Sequence, residues 1–73
     1  MPKTIYSKEY QVVIGKLKKA RIAEGLRQAE VGKKLGLPQS FISKVERGER
    51  RLDIAELKKI AAVYRKPASF FID

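Results

Sequence analysis

Apolar residues in this chain recur at the spacing of a helix and not at that of a strand. Steps of three and four positions place a first group on one helical face: Tyr10, Val13, Leu17 and Ala20. Alternation of apolar and polar residues is nowhere sustained, and the Asn-Gly and Asp-Gly pairs typical of hairpins do not occur. The pattern therefore predicts an all-α protein.

Capping residues, glycines and prolines divide this pattern into five short helices. Ser7 is a suitable N-cap for a first helix, which is predicted to run to about Glu24 and to stop at Gly25. Asp53 caps a fourth helix, with Glu56 three positions later in a capping-box-like arrangement. The other predicted helices are Gln28–Leu35, Gln39–Arg47 and Ala68–Ile72.

The second and third predicted helices are joined by the turn Gly36-Leu37-Pro38. A turn of three or four residues that contains glycine is typical of a helix-turn-helix, and proline is tolerated where a helix begins. Gly32 is expected where the two helices cross, so that a side chain larger than a methyl would push them apart. The spacing predicts a helix-turn-helix over residues 28–48.

The length of 73 residues predicts one domain, 1–73, folded as a compact five-helix bundle with residues 1–6 as a short N-terminal arm. The sequence has no cysteine and no histidine. Disulfides, thiolate ligands, the commonest general base and the commonest zinc ligand are therefore all missing. Neither a metal, a cofactor nor a small-molecule ligand is expected, and the composition argues against an enzyme.

No segment predicts contact with a membrane interior. The longest uncharged run is Leu35–Ser43, still far short of the ~20 apolar residues that span a bilayer. The first residues also lack the apolar core of a signal peptide. We therefore expect a cytoplasmic, nucleoid-associated protein.

The net charge is +9, from 17 basic and 8 acidic residues. Such an excess attracts polyanions, and nucleic acid first among them. It is also one-sided, because residues 1–27 carry seven basic and two acidic groups, whereas residues 53–73 carry four and three. A lysine-rich surface without a polyanionic partner would show the same total. A basic amphipathic membrane binder fits the charge but not short helices separated by glycines.

Hydrogen-bonding side chains occupy the face of the third predicted helix that is left outside the core. A helix fits the major groove, where glutamine pairs with adenine and lysine reaches guanine O6 and N7. This face therefore suits the recognition of base edges, although an ordinary solvated helix face is the alternative. Its residues are Gln39, Ser40, Ser43, Lys44 and Arg47.

The run GLRQAEVGKKLGLPQSFISKVERGERRLDIAELKKIAAVY, residues 25–64, resembles the helix-turn-helix family of phage repressors and Cro proteins, the XRE or Cro/C1 type. The segment GLPQSFISKVERGERR is similar to the family's most recognisable signature. The resemblance spans about residues 12 to 72, and it implies a lambda-repressor-like DNA-binding fold.

The resemblance also implies roles for individual residues. It assigns base reading to Gln39, Ser40 and Lys44. It assigns flanking or DNA-backbone contacts to Arg27, Gln28, Ser43, Arg47, Arg50 and Arg51. It further implies a buried ion pair, structural in role, between Arg21 and Glu46.

This sequence departs from the family pattern at several positions. Arg27 stands where a capping serine or threonine is usual, so the second helix is expected to lose a side-chain cap. Gly32 replaces the usual alanine, at a cost of ~1 kcal/mol in helix propensity. Arg65 and Lys66 stand where glycine and an apolar residue are usual, and Leu52 replaces a common proline.

Together these features predict a sequence-specific transcriptional regulator that binds operator half-sites on double-stranded DNA as a homodimer. One reading helix covers only about four or five base pairs, and relatives bind two half-sites ~34 Å apart. The apolar C-terminal end is the expected dimer interface: Tyr64, Phe70, Phe71 and Ile72. The small size and the ending KPASFF are similar to controller proteins of restriction-modification systems. The alternative is a protein-interaction module, such as an antitoxin of a toxin-antitoxin pair.

Overall fold

The structure, a computed structural model, describes residues 7–72, so the expected arm at residues 1–6 lies outside the described residues. Within that range the chain is all-helical, which confirms the predicted fold class. No helix in this range is both long and apolar enough to cross a membrane. The helices are α1 Lys8–Ala23, α2 Gln28–Leu35, α3 Gln39–Glu46, α4 Ile54–Val63 and α5 Ser69–Ile72.

Side chains close the first turns of three helices. The hydroxyl of Ser7 accepts a hydrogen bond in the first turn of α1. At α4, Asp53 Oδ1 accepts from the backbone N–H of Glu56 at 2.7 Å, and Glu56 Oε1 accepts from that of Asp53 at 3.0 Å. At α2 the side chain of Arg27 provides no cap, as expected, but Glu30 Oε1 accepts from the backbone N–H of Arg27 at 2.7 Å.

The end of α4 shows how the departure at Arg65 is accommodated. Arg65 has φ +63°, in the left-handed region where the family usually has glycine. This conformation costs a residue with a Cβ about 1 kcal/mol or more. Backbone hydrogen bonds from Arg65 to Ala62 and from Lys66 to Ala61, both 3.0 Å, complete the helix end. The fold therefore keeps the turn despite the missing glycine.

The core is a single apolar cluster to which all five helices and the end of α4 contribute. Tyr64 and Phe71 are each 1% exposed, and their rings meet edge to face with 6.5 Å between centroids. Burial, with a smaller contribution from the Glu46 carboxylate, raises the pKa of Tyr64. The buried members are Leu17, Ala20, Val31, Ile42, Val45, Leu57, Ile60, Ala61, Tyr64 and Phe71.

The crossing of α2 and α3 is closer than the sequence suggested. A Cβ on Gly32 would lie 2.6 Å from the carbonyl oxygen of Leu37, an atom of the rigid turn. The same turn is held by the N–H of Leu37, which donates to the carbonyl of Gly32 at 2.8 Å. Even a methyl at Gly32 would therefore displace the turn, which corrects the expectation that only larger side chains would do so.

Candidate nucleic-acid interface

The helix α3 is fixed from its inner side and presents polar side chains on its outer side. Ile42 and Val45 are buried against the rest of the bundle. The three residues expected to read bases are all exposed on this one helix: Gln39, Ser40 and Lys44. The structure thus brings them together on a rigid, solvent-facing element of the width that enters a major groove.

An open cleft lies where α2 and α3 begin. It is lined by Arg27 and Gln28 from the start of α2 and by Gln39 from the start of α3. The first backbone N–H groups of a helix have no partner within the helix and favour an anion. The lining also includes Arg21 and the carboxylate of Glu30, so the cleft is a candidate position for a phosphate only beside Arg27 and Gln28.

The side chain of Gln28, expected to touch a phosphate, is partly committed inside the protein. Its Nε2 donates to Glu46 Oε1 at 2.9 Å. Glu46 also accepts from Arg21 through Nε at 2.7 Å and Nη2 at 3.1 Å, while Arg21 Nη1 donates to the carbonyl of Leu26 at 2.9 Å. Gln28 therefore ties the start of α2 to the end of α3 and is less available to DNA than expected.

Arg21 and Glu46 lie together, as the resemblance implies. Their side chains are 12% and 5% exposed. The hydrogen bond to Glu46 raises the pKa of Arg21, although burial acts in the opposite direction. This pair joins α1 to the end of α3 and helps to hold α3 against the bundle.

Arg47 is held at the C-terminal end of α3. Its Nε and Nη2 donate to the two carboxylate oxygens of Glu49 at 3.1 and 3.0 Å, and its Nη1 donates to the hydroxyl of Ser43. These hydrogen bonds raise the pKa of Arg47 and lower that of Glu49. Sequence reasoning did not single out Glu49, for which the only signal was a carboxylate two positions after Arg47.

Arg50, for which a DNA-backbone contact is expected, is held by partners within the protein. Its Nη2 and Nη1 donate to the two oxygens of Glu56 at 2.8 and 3.2 Å, and Nη1 also donates to the carbonyl of Arg51. Its guanidinium lies 4.6 Å from the centre of the Phe41 ring. The pKa of Glu56 is lowered mainly by the hydrogen bond from the Asp53 N–H and, to a smaller extent, by the hydrogen bonds from Arg50. Arg50 thus links α3 to the start of α4.

Arg51 and Arg27 are placed more openly than Arg50. Arg51 is exposed, with its guanidinium carbon 5.9 Å from the centre of the Tyr10 ring. The side chain of Arg27 is 86% exposed, and its Nε lies 3.8 Å from a carboxylate oxygen of Glu30. A long ion pair at this exposure holds its side chains only weakly. Arg27 therefore loses little if it turns toward a phosphate, and Arg51 remains a candidate for such a contact.

The two adjacent arginines are therefore expected to behave differently on substitution. Arg51→Ala should reduce the salt slope of DNA binding by about 0.9, the value for one lost phosphate contact. Arg50→Ala should leave the slope unchanged and lower the free energy of unfolding by about 1 kcal/mol, through the lost pair with Glu56 and the lost stacking on Phe41. Titrations between 50 and 200 mM salt, beside thermal melts, distinguish the two. Equal slope losses would contradict the assignment.

Two of the four residues expected at a dimer interface are not available for one. Tyr64 and Phe71 lie in the core of the single chain, so their assignment to an interface is corrected. Phe70 and Ile72 are 44% and 52% exposed. The ring of Phe70 packs edge to face on Phe71 and lies 4.7 Å below the ammonium of Lys66.

Ile72 lies between two apolar grooves on the surface. One groove follows α1 past Val12, and the other follows the start of α4 past Ile54. Both of these side chains are exposed. The charged residues that line the grooves, two acidic and one basic, are Glu9, Lys16 and Asp53. On a chain of +9 this face therefore carries a net charge of −1.

A comparison with protein-family models matches residues 17–71, most of the chain, to a family described as helix-turn-helix. The matched segment includes α2, the turn, α3 and the core residues contributed by α4 and α5. No curated protein matches the chain.

Proposed function

Because the chain belongs to the XRE/Cro-C1-type helix-turn-helix family of DNA-binding regulators, we propose that it reads specific operator half-sites through α3 in the major groove. The observation that most supports this proposal is the exposed row on α3: Gln39, Ser40 and Lys44. The same helix is fixed on its inner side by buried Ile42 and Val45. A reading face needs this rigidity, because base discrimination depends on well-placed donors and acceptors.

Lys44 and Gln39 should carry base discrimination. Replacing either with alanine should cost ~1–3 kcal/mol on the preferred duplex and much less on random DNA, because base contacts are made only in the matching register. Lys58→Ala is the matched control for Lys44→Ala, since it removes one exposed lysine from α4. Fluorescence anisotropy on both duplexes measures the difference. Equal losses on the two duplexes would show that Lys44 and Gln39 contact only the DNA backbone.

The protein is further proposed to act as a homodimer, because one reading helix covers too few base pairs for a selective site. The face proposed for the contact contains the two grooves beside Ile72. Its net charge of −1 and its exposed Val12 and Ile54 allow two copies of a strongly basic chain to meet there. A two-fold contact brings the same residues together from both copies. Of the four residues expected at the interface, Ile72 lies on this face and Phe70 lies beside it.

Ile72→Asp should convert the dimer into a folded monomer. The reason is that each copy would add one carboxylate to a self-complementary contact that is already slightly acidic. Ile22→Asp is the control, because Ile22 is exposed to a similar extent, 58%, and lines neither groove. Sedimentation equilibrium should show that only Ile72→Asp lowers the molecular mass. A wild-type chain that stays monomeric at high micromolar concentration and on DNA would contradict the dimer.

No feature of residues 7–72 favours the alternative, a protein-interaction module such as an antitoxin. The proposed regulator would act where its DNA lies, in the cytoplasm at the nucleoid. A partner protein that bound with the α3 face blocked by DNA would bring the alternative back. A pull-down in the presence of nuclease, compared with one in the presence of the preferred duplex, makes that distinction.

A further inference from the structure

Glu49 is a carboxylate at the end of a helix proposed to meet a polyanion. It follows α3 by three positions, and its side chain is 55% exposed. A carboxylate in this place repels phosphates and would weaken binding if it acted alone. It does not act alone, because both of its oxygens accept hydrogen bonds from Arg47.

The contribution of this pair to the stability of the fold is small. Arg47 and Glu49 are equally exposed, and exposed ion pairs of this kind stabilise proteins little. The effect of the pair is instead electrostatic and geometric. It cancels one positive charge beside the reading face, and it fixes an arginine that would otherwise be free to turn toward any phosphate.

The hydrogen bonds leave part of the guanidinium of Arg47 available. Glu49 takes the Nε–H and one N–H of Nη2, and Ser43 takes one N–H of Nη1. One N–H on each terminal nitrogen therefore has no acceptor. A pair of N–H groups on the two terminal nitrogens matches two adjacent acceptors, such as O6 and N7 of guanine.

We propose that Glu49 is a specificity-determining residue, which holds Arg47 beside Ser43 for base recognition and prevents it from binding phosphates nonspecifically. The inference rests on the proposed DNA-reading function of α3. To reach a phosphate away from its position beside Ser43, Arg47 must leave Glu49, and an unpaired carboxylate then remains next to the DNA backbone. On random DNA this exchange gives no net gain. On the preferred site Arg47 can keep Glu49 and use its remaining N–H groups.

Glu49→Gln tests the proposal, because it keeps the size of the side chain and removes its charge. Arg47 should then become a phosphate contact on random DNA and steepen the salt slope by about 0.9, which is about 3.5-fold more affinity lost between 50 and 200 mM salt. The ratio of specific to nonspecific affinity should fall. Arg47→Ala should lower that ratio as well, and it should leave the random-DNA slope unchanged.

Two controls separate this role from simple repulsion. Glu24→Gln removes an exposed carboxylate from the end of α1 and should change neither the slope nor the ratio. In an Arg47→Ala background, Glu49→Gln should no longer steepen the slope, since Glu49 acts through Arg47. Anisotropy titrations on a random duplex and on the best duplex from a random pool provide all of these values.

The measured slopes and affinity ratios distinguish failure of the inference about Glu49 from failure of the proposed function. An unchanged slope and ratio for Glu49→Gln would overturn the proposal, as would a steepening that persists without Arg47. If the wild-type chain bound the two duplexes equally, the proposed function itself would fail, and the inference with it. If the wild type were selective and Glu49→Gln equally selective, only the inference would fail.

Discussion

Glu46→Ala should lower the free energy of unfolding by about 3 kcal/mol, and so remove much of the roughly 4–11 kcal/mol expected of a domain of this size. The carboxylate accepts two hydrogen bonds from Arg21 and one from Gln28 in a nearly enclosed position. Its removal leaves a guanidinium and an amide that have lost their acceptor inside the protein. The melting temperature should therefore fall by roughly 12–24 °C.

The exposed pair at Glu49 is the internal control for this prediction. Glu49→Ala breaks an arginine–glutamate pair of the same chemistry and should leave the melting temperature almost unchanged, since both partners are solvated. Replacing Arg21 and Glu46 together with apolar residues of similar size should recover much of the loss. A melting temperature that Glu46→Ala does not move would show that the pair makes no contribution to holding α3 in place.

Phe71→Ala should be the other strongly destabilising substitution, at about 3–5 kcal/mol. Phe71 is 1% exposed and packs on Tyr64 in the centre of the core, so its truncation leaves a cavity between α5 and the other helices. Phe71→Asp, which places a charge there, should not fold. Urea unfolding followed by circular dichroism measures the loss.

Phe70→Ala provides the comparison for Phe71→Ala. The two residues are neighbours of the same type in the same short helix, but Phe70 is largely on the surface. Its truncation should cost less than about 1 kcal/mol, because little area leaves the core. If Phe70→Ala were as destabilising as Phe71→Ala, the orientation of α5 described above would be wrong.

The sequence predicted the helices well because their limits depend on local chemistry. Ser7 and Asp53 cap first turns through their own side chains, and Gly25 and Gly36 adopt the left-handed conformation that ends a helix. The outward face of α3, which includes Gln39, Ser40 and Lys44, also follows from helical spacing once Ile42 is placed inside. These features need only the order of residues and the period of a helix.

Features that depend on how segments pack could not be read from the sequence. The four-residue helix α5 is too short for its apolar pattern to show a buried side, so Phe70 and Phe71 could not be told apart. Arg50 and Arg51 are adjacent in one loop, and only the path of that loop puts Arg50 beside Glu56. The room at Gly32 likewise depends on the carbonyl of Leu37 in the turn.

Parallel selection from a random DNA pool tests most directly whether α3 reads sequence. Wild-type protein should enrich an inverted repeat whose half-site centres are about one helical turn, ~34 Å, apart. Lys44→Ala should enrich the same repeat with the preference lost at one position in each half-site. No enriched sequence from the wild-type chain, or identical sequences from both proteins, would contradict the account.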